Sequence, residues 1–184
     1  METCLRPERL RFRRAVESDL PAVARLVNSA YRGESSRSGW TTEADLLGGQ
    51  RTDAVKLAQL LVSDARGNGQ QIELGFATDT LVACMSLRHE KPSTTYIGMV
   101  TVDPTQQTAG YGKQLLGRAE ELAQSWHCTR IRMTVIHLRH ELLAYYERRG
   151  YQKTGAIEPF PSEDPGFGIP KVGDMSLLEL AKQL

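Results

Sequence analysis

Cysteine is scarce in this chain: Cys4, Cys84 and Cys128 are odd in number, far apart and without a C-x-x-C pair. That pattern excludes a disulfide framework and a thiolate zinc site, and it fits a reducing cytoplasm. No apolar run approaches the roughly 20 residues of a bilayer-spanning helix, and the basic start, Met1 to Arg14, has no apolar segment behind it. Neither a membrane nor export is expected. Charge of one sign is lacking too. Lys and Arg number 23 against 22 Asp and Glu, a formal net charge of +1, so no global field attracts nucleic acid or a membrane surface. With 184 residues, 40% hydrophobic and 24% charged, the chain suits a single domain over 1–184, its core elements running from 10 to 181.

What is present is organised around Val100 to Lys113. Tyr96 to Val102 has strand composition, Gly98 marks a bulge, and Pro104 ends the ladder because it has no N–H to donate. Leu115, Leu116, Ala119, Leu122, Ala123 and Trp126 then recur at helical spacing, predicting an amphipathic helix over 112–126. The intervening loop feeds a helix N-terminus, where unpaired N–H groups and a partial positive charge gather. Gly110 and Gly112 let backbone approach a ligand there without a Cβ in the way. The spacing predicts an anion cradle. A P-loop would need Gly at 107 and Ser or Thr at 114, but Gln107 and Gln114 stand there; a dinucleotide fingerprint would need Gly at 115, which is Leu115.

The rest reads as alternating strands and helices. A strand over 10–15 precedes a helix announced by Ser18-Asp19-Leu20-Pro21. Thr42 and Asp45 have capping-box spacing, which predicts a short helix, and a second helical run led by Thr52, with Val62 on its apolar side, stops near Gly67-Asn68-Gly69. Residues 71–77 and 81–87 form a hairpin about Thr78-Asp79-Thr80, and 130–136 form a further strand. The helix over 139–149 is closed by Arg148, Arg149 and the left-handed cap Gly150. After a strand over 151–157, the proline- and glycine-rich 158–170 reads as a surface loop, and 175–181 as the last strand.

Val102-x-Pro104-x-x-Gln107-x-x-Gly110-x-Gly112 resembles the acetyl-CoA-binding motif of the GNAT N-acetyltransferase superfamily. The resemblance implies an α/β (α+β) fold with a mixed, mostly antiparallel central sheet of about six to seven strands flanked by helices. It implies that Val100 and Val102 pair with the pantetheine arm of acetyl-CoA, and that Gln107, Thr108, Ala109, Gly110, Tyr111, Gly112 and Lys113 hold its phosphates. Tyr146, Gly150 and Tyr151 resemble the family's Tyr-x-x-x-Gly-aromatic signature, which places Tyr146 near the thioester sulfur; Tyr145 beside it reads as a core residue. Arg139 and Leu142 stand where the family usually has Asn and Ala, leaving the Asn contact to CoA unfilled or taken over by Arg139.

An amine attacking a thioester must lose a proton, the carbonyl oxygen must be stabilised, and the thiolate must leave. A backbone N–H near Val100 suits the oxygen, and the Tyr146 hydroxyl suits the sulfur. The family's strand carboxylate is missing, since Thr94 to Val102 contains none. Glu43, Glu73, Glu90, His137 and His140 stay open as the base, and Tyr31, Glu34, Arg37, Trp40 and Glu43 are acceptor-side candidates by position. His137-x-x-His140 lacks a third ligand at a recognisable spacing, so no metal is expected. The expected function is acetyl-CoA-dependent transfer to the primary amine of a small molecule in a ternary complex. A protein lysine or N-terminal amine is the alternative acceptor, and a non-catalytic acyl-CoA sensor the alternative class. A homodimer stays open.

Overall fold

The computed structural model describes residues 8–65, 69–164 and 167–184, and the side chains of 62–65 lie outside that description. In chain order the elements are β1 (Arg11–Arg14), α1 (Leu20–Tyr31), β2 (Leu47–Gly48), α2 (Ala54–Ala65), β3 (Gln70–Ala77), β4 (Thr80–Glu90), β5 (Thr94–Val102), α3 (Tyr111–Ser125), β6 (Arg130–Ile136), α4 (His140–Glu147), β7 (Gln152–Pro159), β8 (Ile169–Pro170) and β9 (Ser176–Gln183). Seven strands form one sheet in the order β1-β3-β4-β5-β6-β9-β7, as the mixed α/β expectation requires.

Alternation decides which side chains each face buries. Ile131, Met133 and Val135 of β6 are buried while Arg132 and Thr134 are half-exposed, the period of two that a pleated strand imposes. On one face Leu115, Leu116 and Ala119 of α3 pack with Leu143 and Tyr146 of α4 over Met85, Leu87, Ile97 and Leu180. On the other, Val23 and Val27 of α1 and Leu57 of α2 cover Ile72, Leu74 and Cys84. Burial pushes the Cys84 thiol up to about 12, so it acts as a small apolar core residue.

All sheet neighbours are antiparallel except β5 and β6. These two run parallel and pair only at Thr94↔Arg130, Thr95↔Ile131 and Tyr96↔Arg132. Beyond Tyr96 they part. On the other side, Ser86 faces Gly98 and Cys84 faces Thr101, so Met99 and Val100 of β5 oppose Met85 alone. The bulge therefore falls just after Gly98, with Met99 at a φ of 52°, and it bends the strand away from its neighbour.

Three sequence expectations are corrected. No helix forms at Thr42 to Asp45; the segment makes a turn and then β2, which pairs with β8 inside the loop read as irregular. The capping box never closes, because Asp45 turns its carboxylate to Arg37 and the Thr42 hydroxyl accepts from Ala44 N at 3.1 Å. The cap of α2 is Asp53, whose Oδ1 accepts from Lys56 N at 2.8 Å, rather than Thr52. The helix stop expected near Gly67-Asn68 and the side chain of Val62 lie outside the described residues. No helix among the described residues is long and apolar enough to cross a membrane.

Candidate active site

The parting of β5 and β6 leaves a cavity of about 110 Å³. Tyr96, Val100, Thr134 and Val135 line it from the strands, Tyr31, Glu43 and Arg51 from the first third of the chain, Arg139 and Tyr146 from the start and body of α4, and Phe160 and Phe167 from the late loop. A smaller cavity of about 40 Å³ lies toward α3, lined by Trp40, Thr41, Val102, Gln107, Gly112 and Tyr145. Val100, Leu142 and Tyr146 line both. The two spaces share these walls at the splayed end of β5.

That end is prepared chemically. Met99 and Val100 have no register partner of their own on β4 or β6, which marks where the strand leaves the regular ladder. The Val100 carbonyl accepts from Tyr31 Oη at 2.5 Å, which anchors the bent strand to α1. Tyr146 is buried, and its pKa stands well above the ordinary tyrosine value, chiefly because burial disfavours the phenolate. It is a phenol at neutral pH and can donate a proton.

The cradle side follows from local chemistry. Asp103 accepts from Thr105 N at 2.9 Å and caps a 3₁₀ turn over Pro104–Ala109. Gly110 then takes the left-handed conformation, with a φ of 79°, and α3 starts at Tyr111 without a side-chain cap. A Cβ on Gly112 would collide with Tyr145 Oη. An uncapped helix start beside bare backbone fits a phosphate-bearing ligand.

The other members of the predicted set divide. Lys113 and Thr108 are exposed, Gly110 and Ala109 half-buried, and the Tyr111 ring is buried in the core, so only its backbone faces the loop. Gln107 turns inward: its Oε1 accepts from Trp40 N at 2.9 Å, and its Nε2 donates to Thr41 Oγ1 at 2.7 Å and to Val102 O at 3.3 Å. It ties the 40s loop to the cofactor strand.

Glu43 is buried with each oxygen held by a different guanidinium: Arg32 Nη1 donates to Oε2, and Arg139 Nη1 to Oε1 at 2.7 Å. Arg139 also donates to Thr41 O. Both of these Arg139 bonds run to the 40s segment. Of the acceptor candidates, Tyr31 and Glu43 line the larger cavity, Trp40 sits on the cofactor side with its ring 5.1 Å from that of Tyr145, and Glu34 and Arg37 pair with each other at the surface. Tyr145 is half-buried beneath the Arg149 guanidinium, 3.4 Å from its ring centroid, and lines the smaller cavity.

Of the open bases, Glu73 pairs with Arg118 at 2.9 Å, Glu90 with Arg88 and Arg132, His137 Nδ1 accepts from Ser176 N at 3.1 Å, and His140 is exposed. Among these five only Glu43 lines the cavity, and its charge is already matched. The sequence reading missed Arg51, Tyr96, Thr134 and Phe160. Tyr96 and Thr134 join across the parting strands, Oη to Oγ1 at 3.0 Å; their positions on consecutive sheet strands were the only signal. Nothing local singled out Arg51.

The sequence matches the profile of the Acetyltransferase (GNAT) family over residues 37–151. A search of curated proteins finds no match. Among solved structures, the fold is similar to ribosomal-protein-alanine N-acetyltransferase of Brucella melitensis, with a TM-score of 0.70 at 19% identity over 95% of this chain and 100% of that one. It is similar to YncA of Salmonella typhimurium, solved with its cofactor acetyl-CoA, with a TM-score of 0.66 at 18% identity over 95% and 94%. It is also similar to IAA acetyltransferase of Bacillus cereus, with a TM-score of 0.64 at 16% identity over 95% and 99%.

Proposed function

The chain belongs to the acetyltransferase (GNAT) family and is by that membership an acyltransferase; on this premise we propose that it transfers an acetyl group from acetyl-CoA to the primary amine of a small molecule, by direct attack in a ternary complex. The observation that carries the reading is that Val100, Leu142 and Tyr146 line both a cradle-side cavity and the larger cavity beside it. Acetyl-CoA supplies the acyl carbon as a thioester. Val100 N–H, at the bulge where the register shifts, stabilises the carbonyl oxygen as negative charge grows on it. Tyr146 gives its proton to the departing sulfur, and the proton lost by the amine passes to water, since Glu43 is held by two arginines. Direct attack is favoured because neither described cysteine lines either cavity.

A small acceptor is favoured by volume. Tyr31, Phe160, Phe167 and Leu177 line a space of only about 110 Å³, a volume that suits a compact amine better than several residues of a peptide. Of the similar structures, that from Bacillus cereus is named for IAA and that from Brucella melitensis for a protein alanine, so fold alone does not choose. Thiol release from acetyl-CoA, measured with pooled small amines and separately with lysine-containing and free N-terminal peptides, does choose. Release confined to the small amines is expected. Release with peptides alone would replace the acceptor class, and binding of acetyl-CoA without any release would favour the sensor reading.

Gly110→Val is expected to weaken acetyl-CoA binding at least tenfold by calorimetry. Valine is poorly suited to a φ of 79°, a conformation costing an L-residue roughly 1–2 kcal/mol, and its branch would occupy the cradle. Affinity equal to wild type would contradict the cradle assignment.

A further inference from the structure

We infer that the acceptor amine carries an oxyanion, a carboxylate or a phosphorus acid, held by Arg51 at the passage into the acceptor cavity; this rests on the small-molecule transferase reading above. Arg51 lines both the 110 Å³ cavity and a wider outer space of about 500 Å³ that shares Tyr96, Met99 and Thr134 with it. Its backbone is pinned: Asn28 Oδ1 accepts from Arg51 N at 2.7 Å and from Thr52 N at 3.3 Å, and Asn28 Nδ2 donates to Thr52 O at 2.8 Å. Its guanidinium lies over the Tyr31 ring, 5.8 Å from the centroid, and among the described residues it has no ion-pair partner.

The surroundings are cationic at each step inward. Lys56, Arg88 and Arg132 line the outer space against one acid, Glu158. Lys56 is likewise without an ion pair among the described residues. Arg88, Arg130 and Arg132 share only Glu90 and Glu179. Inside, Arg32 and Arg139 share only Glu43, and Arg32 Nε is buried without a partner. Each cluster carries a surplus positive charge, although the chain as a whole balances 23 cations against 22 anions. A cleft lined by one sign of charge concentrates the opposite sign, and a planar guanidinium with free donors matches an oxyanion bidentately. The same surplus favours the neutral, nucleophilic form of an incoming amine, which eases the absence of a free carboxylate base.

The test is thiol release from acetyl-CoA with matched sets of small amines: amino carboxylates, aminoalkyl phosphonates and the carboxamides of the same amino acids. At least one acidic set is expected to exceed the carboxamides tenfold or more in kcat/KM, and which one does so identifies the oxyanion. Arg51→Gln should lose at least tenfold on that set, mainly through KM, and Arg51→Lys should recover part of the loss, with acetyl-CoA binding by calorimetry as the check on folding. Equal kcat/KM for acids and carboxamides would overturn anion recognition while leaving the small-molecule transferase standing. Release with none of these amines and with peptides instead would overturn both.

Discussion

Tyr146→Phe is expected to lower kcat by about 100- to 1,000-fold while acetyl-CoA binds as before. A positioned proton donor is worth roughly that much, and phenylalanine keeps the ring that packs edge-on against Tyr145 and Tyr151, so packing survives and only the proton is lost. The pH dependence carries a second signature. Because burial holds the Tyr146 pKa well above 10, the acid form persists at every pH up to that value, and ionisation of this residue should produce no fall in kcat below about pH 10. Single-turnover rates across pH check both statements. An unchanged rate in the phenylalanine variant would remove Tyr146 from the chemistry, and a wild-type alkaline limb near pH 9 that disappears in the variant would show the burial argument to be mistaken.

Glu43→Ala is expected to destabilise the protein by roughly 3–5 kcal/mol, the cost of breaking a buried ion pair from one side. The substitution leaves two buried guanidinium groups, Arg32 and Arg139, facing each other without the carboxylate that now separates them. For a domain of this size that corresponds to a fall in Tm of roughly 6–20 °C. Thermal unfolding and urea titration would measure it. Glu43→Gln should fall in between, since an amide can accept from one arginine but carries no charge. Stability equal to wild type in the alanine variant would mean that water already reaches this cluster. A general-base role predicts the reverse emphasis, a large loss of kcat with little change in Tm, so the two measurements together separate positioning from proton transfer.

Residues whose meaning is local were legible from sequence. Pro104 cannot continue a ladder, Gly150 takes the left-handed conformation expected of a helix cap, and the period of two in Ile131, Met133 and Val135 reappears as a buried face. The bulge was legible to within a residue, because Gly98 only permits the distortion that the register opposite Met85 locates. The 40s segment was misread for the complementary reason. Thr42 and Asp45 have the spacing of a capping box, but Arg37 competes for Asp45, and the strand after them needs Ile169 and Pro170, more than 120 residues away, as partners. Arg51 carried no sequence signal because an arginine in a polar loop is ordinary until its neighbours are known.

By itself, then, the sequence determined the turn from β5 into α3: a strand, a proline, a glycine turn and a helix start are consecutive, and their φ preferences and missing donors act within a few residues. Only the tertiary structure decided the cavity around Glu43. Glu43 reads as a candidate base until Arg139, 96 residues later, closes on it, and Arg32, on the other side of Glu43, is fixed by its Nη2 reaching Phe167 O across 135 residues. Whether a carboxylate is a base or a counter-ion, and whether an arginine is spent or free, depends on charges within a few ångströms, and it is the folding of distant segments around the parting of β5 and β6 that sets those distances.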